Sequence, residues 1–150
     1  MKKIVVAVDG SEPSFRALDF AARLAAETKA ELIIFTAAEE INFGGDALKS
    51  FARAEHLAAE WGDLAEARAT QILGFARARA AGPDGLEIRT AWRLGDPAAE
   101  IIRLAQEEAC DLLVMGHVGR SRLAGLVLGS VAFKLVTLAP CPVTVVGPAR

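Results

Sequence analysis

Short apolar runs that alternate with helical patterns constrain this chain more than any other feature of its sequence. The first run, Ile4–Val8, is continuously apolar and mostly β-branched, which is typical of a strand covered on both faces. Four further strands are predicted, at Glu31–Thr36, Leu86–Trp92, Asp111–Met115 and Val143–Val146. The segments between the strands carry apolar residues at helical spacing. This alternation predicts an open five-stranded parallel sheet with helices on both faces, which is a Rossmann-like α/β fold.

Capping signals mark where two of the helices begin. Ser11 is followed by Pro13, and Asp96 is followed by Pro97. A Ser or Asp side chain before a helix accepts a hydrogen bond from a free N–H group of the first turn. Proline is favoured in that first turn because it has no N–H group that would need a partner. Apolar and polar residues alternate in Leu86–Trp92, so we expect that strand to be half exposed or near an edge of the sheet.

The stretch between the second and third strands is the longest helical pattern in the chain. From Asp46 to Ala81 it is rich in good helix formers, with an interruption at Trp61-Gly62-Asp63. We therefore predict two helices, at about 46–60 and about 63–80. Gly82-Pro83-Asp84-Gly85 is a strong stop signal after them.

Size and composition exclude several classes of protein. The 150 residues predict a single domain with a substantial core. The net charge is −2 with both signs interspersed, which argues against nucleic acid as the main partner. The apolar runs are too short to span a bilayer, and Asp9 interrupts the first one, so we expect a strand rather than a signal peptide and a cytoplasmic location. Cys110 and Cys141 lack metal-ligand spacing and are expected to be small buried residues rather than reactive thiols.

Glycines are concentrated after the fourth strand, in the stretch Met115–Val131. Gly116 and Gly119 follow the strand, and Gly129-Ser130 opens the last helix. Glycine allows close approach of backbone to a ligand, and a helix N-terminus offers free N–H groups to an anion. The stretch is therefore either a phosphate cradle or a set of turns. In a doubly wound sheet it meets the ends of the first and second strands, at Val8-Asp9 and at Thr36-Ala37.

The common catalytic and nucleotide motifs are missing from the sequence. It has no G-x-x-x-x-G-K-[ST], no G-x-G-x-x-G after the first strand and no G-x-S-x-G. His56 and His117 are the only histidines. His56 falls in the Ala-rich helical stretch, whereas His117 lies beside the glycines, where it either contacts a phosphate or is simply exposed to solvent. No general base or activated nucleophile is evident, so an efficient enzyme is not indicated.

The spacing Gly116-x2-Gly119-x9-Gly129-Ser130 resembles the nucleotide-binding signature of the universal stress protein family, in its ATP-binding subclass. The resemblance extends over nearly the whole chain, through the segments Ile4–Ser11, Gly95-Asp96-Pro97 and Ala139–Val143. It implies a sheet like that of the adenine nucleotide alpha hydrolases. It also implies binding of ATP, or of AMP or ADP, with Mg²⁺ or Mn²⁺ held by the phosphates.

The resemblance also assigns residues to the parts of the nucleotide. Asp9, beside Val8, meets the ribose or adenine side, and the backbone around Ala37 recognises the adenine edge. Met115 and Gly116 line the ribose. The residues implied at or beside the phosphates are His117, Gly119, Arg120, Gly129, Ser130 and Val131.

Two features depart from the family pattern. Val118 stands where many members carry a basic residue, although Arg120 and Arg122 are close in sequence. The long Phe43–Trp61 segment forms a lid, a partner surface or a helix extension. The resemblance further implies a homodimer paired through Val143–Val146.

Two functional hypotheses follow from these features. The first is an ATP-binding sensor or regulatory module of the stress response, with at most weak ATP hydrolysis. The second is a dimeric protein-interaction module of the same fold that does not bind nucleotide. A flavin or pyrophosphate enzyme of related architecture is less favoured, because no catalytic constellation accompanies the glycines.

Overall fold

The computed structural model describes residues 1–39, 51–82, 85–119 and 128–148. Within these residues the strands are β1 (Lys3–Ala7), β2 (Glu31–Ala38), β3 (Ile88–Leu94), β4 (Leu112–Gly116) and β5 (Val143–Val146). All strand pairs are parallel, in the spatial order β3-β2-β1-β4-β5, so the predicted five-stranded sheet is confirmed. The strand order reverses between β1 and β4, and ligands of such sheets bind in the crevice beyond the carboxyl ends at this position.

Helices cover both faces of the sheet, as predicted. They are α1 (Glu12–Thr28), α2 (Phe51–Ala80), α3 (Pro97–Glu107) and α4 (Ser130–Leu138). Successive side chains of a strand point to opposite faces, so Ile4 and Val6 lie in the core beneath α1 and α2, whereas Val5 lies in the core beneath α3 and α4. These three side chains are fully buried. This double burial explains why the strands read as continuous apolar runs.

Both predicted capping signals are confirmed. The Ser11 hydroxyl accepts a hydrogen bond from the Ser14 N–H group at 3.3 Å, and the Asp96 carboxylate accepts one from the Ala99 N–H group at 3.0 Å. At the start of α4 the capping residue is Gly129, which has no side chain to accept such a hydrogen bond.

The prediction of two helices between β2 and β3 was wrong. A single helix, α2, runs from Phe51 to Ala80 through the expected break at Gly62. Glycine in a helix interior costs about 1 kcal/mol relative to alanine. Burial of the side chains on the inner face of α2 outweighs that cost; these are Ala65, Ala69, Leu73, Ala76 and Ala80. Of the Phe43–Trp61 segment, residues 43–50 lie outside the described part of the chain, and the remainder is a helix extension.

Strand β3 lies at one edge of the sheet and is largely half exposed, as its alternating pattern predicted. Strand β5 lies at the other edge, and its side chains are half buried. No helix in the described ranges is both long and apolar enough to cross a membrane.

Candidate functional site

A cavity of about 550 Å³ opens above the carboxyl ends of β1, β2 and β4. The strand ends, the loop after β4 and the first turn of α4 all contribute to its lining. The predicted site residues that line it are Val8, Asp9, Ala37, Met115, Gly116, Gly119, Gly129, Ser130 and Val131. The topology therefore brings together residues that lie more than a hundred positions apart in sequence.

Asp9 lines the cavity and lies two residues after the end of β1. Its Oδ1 atom accepts a hydrogen bond from the Ser11 N–H group at 2.9 Å, and its own N–H group donates to the Ser14 hydroxyl at 3.3 Å. Gly10, which lies between Asp9 and Ser11, adopts a left-handed conformation with φ of 85°. Asp9 thus shapes the turn into α1 and also lines the cavity.

Gly119 lies directly beside the Asp9 carboxylate. A Cβ atom built on Gly119 would lie 2.8 Å from Asp9 Oδ2, which is closer than van der Waals contact allows. Gly119 is not in the left-handed region of backbone conformation. The glycine is therefore needed for space beside the carboxylate rather than for backbone freedom.

The loop after β4 is closed by a backbone contact between its two ends. The Gly129 N–H group donates to the His117 carbonyl oxygen at 2.7 Å, and the His117 N–H group donates to the Val146 carbonyl oxygen at 3.1 Å. A Cβ atom on Gly129 would lie 3.3 Å from Val118 Cα. A side chain at residue 129 would therefore press on the loop itself.

Gly116 has a different role from the other two glycines. A Cβ atom on Gly116 would lie 2.8 Å from the carbonyl carbon and oxygen of Pro13. Gly116 lets the first turn of α1 pack directly on the end of β4. It lines the cavity, but the closest constraint on it is this helix–strand contact.

The N-terminus of α4 opens into the cavity. The first N–H groups of a helix have no acceptor within it, and Gly129 supplies no capping side chain. The N–H groups of Ser130 and Val131, together with the Ser130 hydroxyl, therefore provide hydrogen-bond donors at the positive end of the helix dipole. This arrangement favours an anion.

Two further predicted site residues are not part of the described cavity. His117 is half buried and contributes its backbone to the loop, but its side chain does not line the cavity. Its Nδ1 atom is buried and has no hydrogen-bond partner among the described residues. Arg120 lies outside the described residues, as does Arg122.

Sequence reasoning missed the contribution of helix α2 to the cavity. Trp61 and Arg68 both line it, and the Trp61 indole N–H group donates to the Glu39 carbonyl oxygen at 3.1 Å. Their spacing of two helical turns places them on one face of α2, which is the signal that could have identified them. The expected helix break at Trp61 obscured it. Pro97 and Ile101 of α3 add apolar lining.

Among the described residues, no cluster of three or more His, Cys, Asp or Glu side chains could hold a metal ion. Of the described residues that line the cavity, Arg68 is the one with a positively charged side chain, and it is exposed.

The fold and the cavity together define a class of protein: a Rossmann-like α/β domain with an anion-favouring helix N-terminus at its topological switch point. The family model described as "Universal stress protein family" matches residues 1–147. The chain belongs to the universal stress protein family.

Individual relatives agree with this assignment. The universal stress protein YxiE of Bacillus subtilis is 37% identical over 145 residues, which covers 96% of this chain and 97% of the relative. The solved structure of UspA from Lactobacillus plantarum superposes with a TM-score of 0.84 at 24% identity, covering 97% of each chain. A universal stress protein solved in complex with cAMP has a TM-score of 0.72 at 31% identity, covering 99% of this chain and 98% of that one.

Proposed function

We propose that the chain binds an adenine nucleotide in the cavity above β1, β2 and β4. The observation that carries this proposal is the juxtaposition of an uncapped helix N-terminus at Ser130 with the carboxylate of Asp9, in one cavity of about 550 Å³. Small-molecule sites have volumes of roughly 300–1,000 Å³. The cAMP-bound relative supports the choice of an adenine nucleotide.

The chemistry of the lining supports one orientation of the ligand. Phosphate oxygens accept hydrogen bonds from the first turn of α4 and from the backbone at Gly119. The Asp9 carboxylate accepts hydrogen bonds from sugar hydroxyl groups, because an ionised carboxylate is an acceptor only. The adenine base then lies toward Ala37 and the apolar side chain of Ile101, which line the cavity at the end of β2 and on α3.

The favoured ligand is ATP, with AMP and ADP as the alternatives that share its base and sugar. Mg²⁺ or Mn²⁺ would bind through phosphate oxygens, which are the hard ligands that Mg²⁺ prefers. Val118 adds no positive charge beside the phosphates. Arg68 can offset that loss from the opposite wall, since its long side chain lines the cavity.

The proposed role is that of a nucleotide-dependent sensor or regulatory module in the stress response. The described lining residues include no His, Cys or Lys side chain that could serve as a general base or an activated nucleophile. We therefore propose at most weak ATP hydrolysis. Binding of the nucleotide would itself be the event that a partner protein recognises.

Calorimetric titration of nucleotide-free protein tests the proposal. The protein is unfolded, freed of co-purified nucleotide and refolded, and is then titrated with ATP, ADP and AMP, with and without Mg²⁺. Gly129→Val is expected to abolish binding because its side chain would press on the loop near Val118. Gly62→Ala is the matched control, since no atom lies within 4 Å of the position of its Cβ. Absence of binding by the refolded wild-type protein to all three nucleotides would refute the proposal.

A second candidate function, self-association, is favoured by one surface. Helix α4 exposes Phe133, Val136 and Leu138 at 64%, 54% and 61%. The neighbouring edge strand β5 presents an unpaired side to solvent within the described chain. We propose a homodimer that pairs through Val143–Val146 and covers these side chains.

Sedimentation equilibrium tests the dimer. The wild-type protein is expected to have the mass of two chains. Phe133→Glu is expected to shift it to one chain, because a charge cannot be buried in an apolar interface without a partner. The substituted residue is mostly exposed, so the fold is expected to persist. A dimer unaffected by this substitution would place the interface elsewhere.

A further inference from the structure

Two thiols meet at the amino edge of the sheet, on the opposite side from the cavity. Cys110 Sγ and Cys141 Sγ lie 3.2 Å apart, and both cysteines are free thiols. Cys110 is buried and Cys141 is half buried. From the sequence we expect both to be small buried residues rather than reactive thiols. The structure instead makes them a pair.

The pairing of β4 with β5 brings the cysteines together. Each cysteine lies two residues before its strand, Cys110 before β4 and Cys141 before β5. The two strands are paired from Leu113 and Val143 onwards, and the Leu113 N–H group donates to the Pro142 carbonyl oxygen at 3.0 Å, next to Cys141. The Sγ–Sγ distance of 3.2 Å is roughly 1 Å longer than the bond of a disulfide.

The end of α3 holds the other thiol in position. Ala109 adopts a left-handed conformation with φ of 47°, and the Cys110 N–H group donates to the Ala105 carbonyl oxygen at 3.1 Å. This turn directs the chain into β4 immediately after Cys110. Both cysteines are thus attached to hydrogen-bonded backbone.

We propose that Cys110 and Cys141 form a reversible dithiol–disulfide pair that hydrogen peroxide oxidises. The Cys141 thiolate attacks one peroxide oxygen; an S–O bond forms, the O–O bond breaks, and the departing hydroxide takes up a proton to give water. Cys110 Sγ then attacks the Cys141 sulfur; the S–S bond forms, the S–O bond breaks, and the hydroxyl group leaves as water with the Cys110 proton. The two thiols lose two electrons and two protons in total, and the peroxide is reduced to two waters.

The order of these steps follows from the surroundings of the two thiols. Burial and the contact with Cys141 raise the pKa of Cys110 to about 12, so Cys110 stays protonated and does not react first. Cys141 is the more exposed of the two. It therefore meets the oxidant, and Cys110 resolves the sulfenic acid.

The disulfide would close a loop that runs from residue 110 to residue 141. This loop includes β4, Gly116, Gly119 and the whole of α4, which together form the phosphate side of the candidate cavity. A cross-link over a loop of this length stabilises chiefly by restricting the unfolded chain. We expect oxidation to raise the melting temperature by roughly 5–10 °C. This expectation does not depend on nucleotide binding.

The experiment compares reduced protein with protein treated with hydrogen peroxide. In the wild type we expect titratable thiols to fall from two per chain to none, a mass lower by two hydrogens, and a Cys110–Cys141 peptide in a non-reducing digest. The rise in melting temperature should disappear with dithiothreitol. Cys141→Ala and Cys110→Ala are the matched controls, and neither should show the rise.

Three results would overturn the proposal. The first is retention of both thiols under conditions that oxidise glutathione. The second is conversion of Cys141 to sulfinic acid while Cys110 stays reduced. The third is a disulfide found only between two chains. Oxidation of Met1 or Met115 adds oxygen and is not reversed by dithiothreitol, so mass spectrometry distinguishes it.

Discussion

Replacing Gly119 with alanine is the perturbation that most directly probes the proposed nucleotide site. The new Cβ atom would lie 2.8 Å from Asp9 Oδ2, roughly half an ångström inside a normal contact. The Asp9 side chain can move more easily than the backbone at residue 119, so we expect the carboxylate to rotate away. Rotation weakens the hydrogen bond that Asp9 Oδ1 accepts from the Ser11 N–H group at 2.9 Å.

The size of the effect follows from the bonds that change. A hydrogen bond to a charged group contributes about 1.5–3 kcal/mol. If Asp9 holds the sugar hydroxyls, its displacement should therefore raise the Kd for ATP by roughly 10- to 100-fold. In the fold itself, the rotation weakens the hydrogen bond from the Ser11 N–H group at the turn into α1. We expect the melting temperature of Gly119→Ala to fall by only about 2–4 °C, which corresponds to about 1 kcal/mol.

A double-mutant cycle with Asp9→Ala distinguishes this mechanism from a general distortion of the loop. The assay is calorimetric titration of ATP into the wild type, Gly119→Ala, Asp9→Ala and the double variant. Without the Asp9 carboxylate there is no clash, so adding Gly119→Ala to Asp9→Ala should weaken binding little further. Full additivity of the two free-energy changes, or an unchanged Kd in Gly119→Ala, would refute the reasoning.

Three further predictions concern stability. Gly116→Ala should destabilise the fold by roughly 1–3 kcal/mol in urea denaturation. Its Cβ would lie 2.8 Å from the backbone of Pro13, which cannot rotate away. Unchanged stability would contradict this tight contact. The Arg89 guanidinium lowers the pKa of Glu108 to about 2, so this carboxylate stabilises the fold above about pH 4.5 and loses its contribution as the pH falls towards 2. Glu108→Gln should therefore be less stable than the wild type by about 1 kcal/mol at pH 7, with a difference that disappears near pH 2 in acid titrations followed by circular dichroism. Lys29→Gly should raise the free energy of unfolding by about 0.5 kcal/mol. Lys29 has a left-handed backbone with φ of 56°, a conformation that glycine adopts without the steric cost of a Cβ atom. A loss of stability would show that the Lys29 side chain stabilises the turn.

The sheet could be predicted from the sequence because its strands are buried on both faces. Such strands appear as uninterrupted apolar runs, and β5 was predicted with its observed bounds. The ends of other strands were displaced by one or two residues. At β1, for example, the Val8 N–H group still donates to the Phe35 carbonyl oxygen at 2.8 Å beyond the last residue of the strand. Ladder hydrogen bonds decide such boundaries, and they depend on the neighbouring strand.

Helix α2 shows where local sequence signals fail. Glycine has a low intrinsic preference for helix, so Gly62 favours a break, but the chain on both sides of it forms one continuous helix. Burial of Ala65 and Ala69 against the sheet is a tertiary effect that no local pattern contains. The same error hid Trp61 and Arg68 from the candidate site, because their position over the cavity depends on a continuous helix.

The three glycines of the motif are needed for three different physical reasons, which their spacing in the sequence does not distinguish. A side chain at Gly116 would meet the backbone of Pro13, one at Gly129 would meet the loop near Val118, and one at Gly119 would meet the Asp9 carboxylate. The first requirement concerns helix–strand packing and the second concerns closure of the loop. Only the third involves a polar group of the cavity. A protein could therefore keep Gly116 and Gly129 for its fold alone, and the case for a nucleotide rests on Gly119 together with the uncapped N-terminus of α4.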